Sequence, residues 1–198
     1  MSDQCYTDHP GLRSMLAFDI ETEGLDPSRH AVTCACVYNG QGVAETFLFK
    51  REDPLEDELA KERFLARLDG APRLCAFNGV RFDIPFLAKA WGLPPARAGL
   101  WVRKTVDVFE TCKLGLGKTF GLDRLLAANG LESKTGTGLH AVQLAREREW
   151  DKLGAYCMQD TRLTYLVTCQ HQVALPLHTP SQRKLALQPA HPRPFVLW

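Results

Sequence analysis

The stretch Ser14-Met-Leu-Ala-Phe-Asp-Ile-Glu-Thr-Glu-Gly-Leu25 decides the reading of this chain. Its first seven residues are mostly apolar and run into the turn-prone segment Thr22-Glu-Gly-Leu-Asp-Pro-Ser28, which predicts a strand ending near residue 20. Asp19 and Glu21 are two residues apart at that strand's end, so both side chains project to one face, while Phe18 and Ile20 face the opposite way into a core. Two adjacent carboxylates repel one another unless a cation lies between them. Hard oxygen donors in that arrangement suit Mg²⁺ or Mn²⁺, although an acidic pair at a strand end is often only solvated.

Working outward, 31–39 (AVTCACVYN) and 43–49 (VAETFLF) read as further strands, joined across Asn39-Gly-Gln-Gly42 by a hairpin. A helix is predicted over 53–68, a strand over 72–78, and a helix over 82–92, stopped by Gly92 and the following Pro-Pro. Residues 105–112 read as a strand leading into a short helix, and 121–130 as a short amphipathic helix. Residues 139–175 read as two helices with a break near Trp150–Asp151. Three antiparallel strands followed by alternating strands and helices predict an α/β fold, a mixed sheet with helices on both faces. The expected organisation is an N-terminal arm at 1–13, one folded domain at 14–175, and a Pro-rich extended tail at 176–198. That tail holds five prolines and no acidic residue and ends in Phe-Val-Leu-Trp, either packed back on the domain or docking a protein partner.

Composition narrows the function. The chain has 198 residues, 45% of them hydrophobic and 24% charged, enough for one ordinary core. Its net charge of +1 argues against a protein that coats long stretches of duplex, but not against an enzyme that grips one strand end. No apolar run approaches the ~20 residues of a membrane span, and no signal peptide is legible, so a soluble, intracellular, cytoplasmic protein is expected. Seven scattered cysteines make no zinc-finger spacing and read as buried reduced thiols; six histidines show no ligand spacing. Gly115-Leu-Gly-Lys-Thr119 lacks phosphate-loop spacing and reads as a loop.

Two further segments carry acids. Asp83 falls between a strand end at Asn78 and a helix start, where it could cap the helix or reach the sheet edge. Tyr156 and Asp160, four residues apart, share one helix face within an apolar segment. Asp160 there needs either a surface partner such as Lys152 or Arg162, or a cation shared with Asp19 and Glu21.

Taken in order, the three segments resemble the exonuclease motifs of the DEDD superfamily. Phe18-Asp-Ile-Glu-Thr-Glu-Gly-Leu25 is similar to the first, Asn78-x-x-x-Phe82-Asp83-x-x-Phe86-Leu87 to the second, and Tyr156-x-x-x-Asp160 to the third in its tyrosine-bearing branch. Ala155 stands where the other branch has histidine. Within the branch the wording is most similar to the proofreading domain of family B DNA polymerases, over roughly residues 14–170.

The resemblance implies a ribonuclease H-like fold and a free-standing 3′–5′ exonuclease acting on single-stranded, frayed or mismatched DNA by two-metal catalysis. One Mg²⁺ or Mn²⁺ would be held by Asp19, Glu21 and Asp160, and a second by Asp19 with Asp83; Tyr156 would position the attacking water. It implies nucleic-acid contacts by Thr22, by Leu25 as a wedge beside the terminal base, and by Asn78 and Phe82. An RNA-trimming nuclease, or an inactive nucleic-acid-binding or polymerase-accessory module, are the alternatives.

Overall fold

A computed structural model describes residues 15–133, 138–170, 172–174 and 184–186, without the side chains of 115, 116 and the last two segments. Strands β1 (Met15–Thr22), β2 (Val32–Tyr38) and β3 (Ala44–Leu48) form an antiparallel meander. Strands β4 (Arg73–Ala76) and β5 (Thr105–Asp107) add to the other edge of β1 in parallel, giving the order β3-β2-β1-β4-β5. The hairpin between β2 and β3 closes at Asn39, whose Oδ1 accepts from the Gln41 and Val43 amides at 2.8 and 3.0 Å, with Gly40 and Gly42 both at positive φ.

Alternation along β1 feeds two cores. Leu16, Phe18 and Ile20 pack with Phe64, Leu65 and Leu68 of α1 (Pro54–Gly70), with α2 (Asp83–Ala90), and with Trp101 of α3 (Pro95–Lys104). The opposite face receives α7 (Trp150–Thr168) and α6 (Gly138–Arg146): Cys34 and Cys36 of β2 pack with Ala141, Leu144, Tyr156 and Cys157, while Met15 and Ala17 meet Tyr165. α4 (Val108–Leu116) and α5 (Leu122–Ala128) build a third cluster with Leu163 and Val167 of α7. The expected α/β mixed sheet with helices on both faces is therefore present.

Three local expectations need correction. The Pro94-Pro95 pair does not only stop a helix; Pro95 occupies the first turn of α3, where a missing amide hydrogen costs nothing. The last helix ends at Thr168 rather than near 175. Residues Gln172–Ala174 instead form β6, antiparallel to β7 (Lys184–Ala186) within the stretch expected to be extended, and this pair lies near α4 and α5. The rest of 176–198, the arm at 1–13, with Cys5 in it, and Ser14 lie outside the described residues. Among the described residues, no helix is long and apolar enough to cross a membrane.

Candidate active site

Four acids from three elements face one cleft of about 380 Å³. Asp19 and Glu21 come from the end of β1, Asp83 from the first turn of α2 and Asp160 from the middle of α7. Tyr156, one helical turn before Asp160, lines the same cleft, as do Asn78 and Phe82. An oxygen of Asp19 and one of Glu21 lie within 4.8 Å of each other. The β1–β2 register slips between Glu21 and Thr22, where Thr33 is an extra residue on β2, so the ladder bulges right after the second acid and resumes at Thr22.

Asp83 does not cap α2. The N-cap of that helix is Phe82, without a side-chain hydrogen bond. The Asp83 side chain is 4% exposed and crosses to β1, where its Oδ1 accepts from the Ile20 amide at 3.1 Å. The turn that aims it is tight. Asn78 adopts φ 65°, and the Ile84 amide donates to the Gly79 carbonyl at 2.8 Å. A Cβ at Gly79 would come within 2.5 Å of the Ala76 Cβ and 3.6 Å of Asp83 Oδ2, so only glycine lets the turn approach β4 this closely.

Asp160 is not a surface acid. It is 6% exposed, Lys152 pairs with Glu149 at 3.1 Å, and Arg162 lies 3.8 Å from Glu132. Tyr156 is buried and hydrogen-bonded to Asp160.

The acids strain one another electrostatically. Burial, then the charges of Asp83, Glu21 and Asp160, raise the Asp19 carboxyl well above the usual carboxylate range. Burial pushes Asp83 up to about 7 against the lowering effect of the Ile20 amide. Burial and the neighbouring carboxylates also raise the Tyr156 phenol, so its hydroxyl keeps its proton at neutral pH. Among the described residues, none that lines the cleft is a lysine or arginine. Converging oxygen donors, desolvated and mutually repelling, are the donor set that hard divalent cations neutralise.

The other expected nucleic-acid contacts separate. Leu25 is 82% exposed and lines an adjoining cavity of about 860 Å³ with Phe82, Pro85 and Phe86, not the acidic cleft. Phe82 borders both spaces. Thr22 is buried and its hydroxyl donates to the Gly24 carbonyl at 2.8 Å, which shapes the turn leading to Leu25. Arg81 is tied to Glu110 by an ion pair.

Sequence reasoning missed several residues at the cleft. Phe77, Phe109 and Asp123 line it. Asp107, at the end of β5, is buried and accepts from the Asn78 amide at 3.0 Å and the Val80 amide at 2.9 Å, bracing the turn that aims Asp83. It also caps α4 through the Glu110 amide at 3.2 Å. Burial raises its carboxyl to about 6, against these amide hydrogen bonds. The spacing Asp107-x-x-Glu110 at a strand–helix junction was a legible capping signal.

Behind the acids, the sulfurs of Cys34, Cys36 and Cys157 lie within 4.8 Å of one another. All three are buried free thiols and pack as small apolar groups between β2 and α7.

The sequence matches the RNase_H superfamily over residues 16–170. No curated protein sequence matches it. Its fold is similar to that of the family B DNA polymerase from the hyperthermophilic archaeon Pyrobaculum calidifontis, with a TM-score of 0.59 and 21% identity. That alignment takes in 77% of this chain but 24% of the polymerase, so the chain spans about a quarter of that protein. It is also similar to Brucella melitensis NrnC with bound Mg²⁺, at a TM-score of 0.50 and 18% identity over 77% of this chain and 71% of NrnC. NrnC bound to pGG aligns with a TM-score of 0.49 and 20% identity, over 76% and 69% of the two chains. At these identities the likeness is one of fold.

Proposed function

This chain belongs to the RNase_H superfamily, whose enzymes are typically divalent-metal-dependent nucleases, and on that premise we propose that it is a 3′–5′ exonuclease of the tyrosine-bearing DEDD type. The observation that supports this reading best is the convergence of Asp19, Glu21, Asp83 and Asp160 with Tyr156 on one cleft that no basic side chain among the described residues lines.

Asp19, Glu21 and Asp160 would hold one divalent cation, Mg²⁺ or Mn²⁺, and Asp19 with Asp83 a second. Bound there, the cations supply the positive charge that favours ionisation of the attacking water and stabilises the leaving 3′ oxygen. The protein's own groups do the rest. Tyr156 stays protonated, so it orients water by hydrogen bonding and does not act as a base. The Ile20 amide holds the Asp83 carboxylate in register with β1. Phe82, bordering both the acidic cleft and the cavity that Leu25 lines, can receive an unstacked terminal base by its ring face, which tolerates any base. Attack of water on phosphorus then breaks the bond to the 3′ oxygen and releases a nucleoside 5′-monophosphate.

The preferred substrate is DNA with a free or frayed 3′ end, because a terminal nucleotide must leave its stack to enter. Unpairing costs a few kcal/mol, and less at a mismatch. The test is a time course on matched duplex, mismatched duplex, single-stranded DNA and single-stranded RNA of one sequence, each labelled at the 5′ end. A descending ladder, faster at the mismatch, is expected. Internal cuts in a closed circular strand would refute exonuclease action, and a strong preference for RNA would move the protein to RNA 3′-end trimming.

A further inference from the structure

A separate cavity, of about 490 Å³, is bordered by Glu23, which lies two residues beyond Glu21 in sequence. Glu23 follows directly on β1, whose last residues include Asp19 and Glu21. The cavity's charge is opposite in sign to that of the cleft. Lys50 and Arg51, following β3, and Arg146 and Arg148, at the junction of α6 and α7, line it together with Phe49 and Trp150. Arg51 pairs with Glu23 at 3.2 Å and Arg148 with Glu52 at 3.3 Å. Among the described residues, Lys50 and Arg146 have no ion-pair partner. All four side chains are exposed.

The backbone adds an independent observation. Arg51 and Arg148 have φ of 60° and 59°, and among the described non-glycine residues only Asn78 shares that left-handed conformation. Arg148 sits where α6 reverses into α7: its amide donates to the Ala145 carbonyl at 3.2 Å, and the Glu149 amide to the Leu144 carbonyl at 2.9 Å. That is the helix-ending position that glycine normally fills. Placing a long cationic side chain there works against the backbone, and the chain does so twice on the rim of one cavity. Neither arginine packs a core, and an exposed ion pair does not offset such strain. Strain kept at two surface cations points to something that those cations bind.

We propose that Lys50, Arg51, Arg146 and Arg148 form a phosphate-binding site that holds the nucleic-acid substrate outside the cleavage cleft. This rests on the nuclease reading for its ligand, and it makes grip depend on substrate length. A dinucleotide, with its one internal phosphate at the acids, cannot fill both places; a longer strand can. Phe49 and Trp150 give the cavity an apolar wall against which a sugar or base can lie.

The experiment compares the wild-type protein with Lys50→Ala/Arg146→Ala and with Arg148→Gly. Three readings are taken: binding of a long fluorescent single strand in Ca²⁺ over a range of NaCl, hydrolysis of a dinucleotide in Mg²⁺, and melting temperature. For the double variant, affinity for the long strand is expected to fall about tenfold or more, and the slope of log K against log salt to flatten by about 0.7 for each phosphate no longer neutralised. Dinucleotide hydrolysis is expected to stay within about twofold of wild type, since the acids are untouched. For Arg148→Gly, long-strand affinity falls while the melting temperature holds or rises, because glycine relieves the strained position. Unchanged affinity and salt slope would overturn the proposal, and so would equal losses on the dinucleotide and the long strand. A wild-type protein that binds the strand with this pattern yet cuts nothing would uphold the phosphate site while refuting the exonuclease reading.

Discussion

The Ile20 amide donates to Asp83 Oδ1 at 3.1 Å, a bond that joins residues 63 apart in sequence and sets the α2 acid between the two acids of β1. Burial there disfavours the Asp83 charge, and the amide hydrogen bond offsets only part of that cost, which leaves the cation-free cleft costly.

A pH dependence of stability follows from the raised carboxyls. Asp83 is pushed up to about 7 and Asp107 to about 6, and Asp19 is also raised, all by burial first. In the unfolded chain these groups titrate near 4. Between about pH 4 and 7 the folded state binds more protons than the unfolded, so stability is full below the lower value and declines as pH rises. The metal-free protein should therefore melt at a lower temperature at pH 8 than at pH 5, with Mg²⁺ narrowing the gap. A melting temperature that rises with pH in chelator would contradict the electrostatic account.

Asp83→Asn separates charge from geometry. The amide oxygen can still accept from Ile20, so the fold should persist, and the metal-free protein should become more stable. Cleavage should fall about a hundredfold or more, the scale of removing one electrostatic group from a reaction centre. Near-normal turnover in a folded variant would remove Asp83 from the reaction.

Tyr156→Phe should lower turnover by ~10²–10⁴ while leaving the metal concentration for half-maximal activity nearly unchanged, because the hydroxyl positions water and is not a ligand. A weakened metal dependence with normal turnover at saturating metal would reverse the assignment.

Asp107→Ala leaves the Asn78 and Val80 amides without their acceptor and strips the cap from α4. A loss of about 2 kcal/mol or more in denaturant unfolding is expected, since each buried unsatisfied group costs about 1–3 kcal/mol. A loss of activity without any loss of stability would instead give Asp107 a direct part in the chemistry.

The meander and α1 are legible because alternation, the Asn-Gly turn and the Asp53-Pro54 helix start all agree locally. α3 is not, because Pro-Pro reads as a stop while Pro95 begins a helix whose buried face, Ala98, Trp101 and Val102, depends on packing beside β4. The two strands of the β6–β7 pair, three residues each, are too short for periodicity to register. The sequence names the four acids and Tyr156 through short motifs with fixed spacing, each on one element. Asp123 and the aromatic pair Phe77–Phe109 belong to no such motif; they reach the cleft only when β4, α4 and α5 assemble. Leu25 shows the reverse: its motif is legible, but its side chain lines the neighbouring cavity.

The most direct test is cleavage of a 5′-labelled single strand by wild-type protein and by Asp19→Ala, each with Mg²⁺ and with excess chelator. Asp19 adjoins Glu21 and is pushed up by Asp83 and Asp160 as well, and it is the acid that the proposed ligand sets, taken from the family resemblance, have in common. Stepwise shortening from the 3′ end is expected only for the wild-type protein with Mg²⁺, with Asp19→Ala folded and at least as heat-stable as metal-free wild type. Robust cleavage by Asp19→Ala, or by either protein in chelator, would contradict the metal-dependent acidic centre.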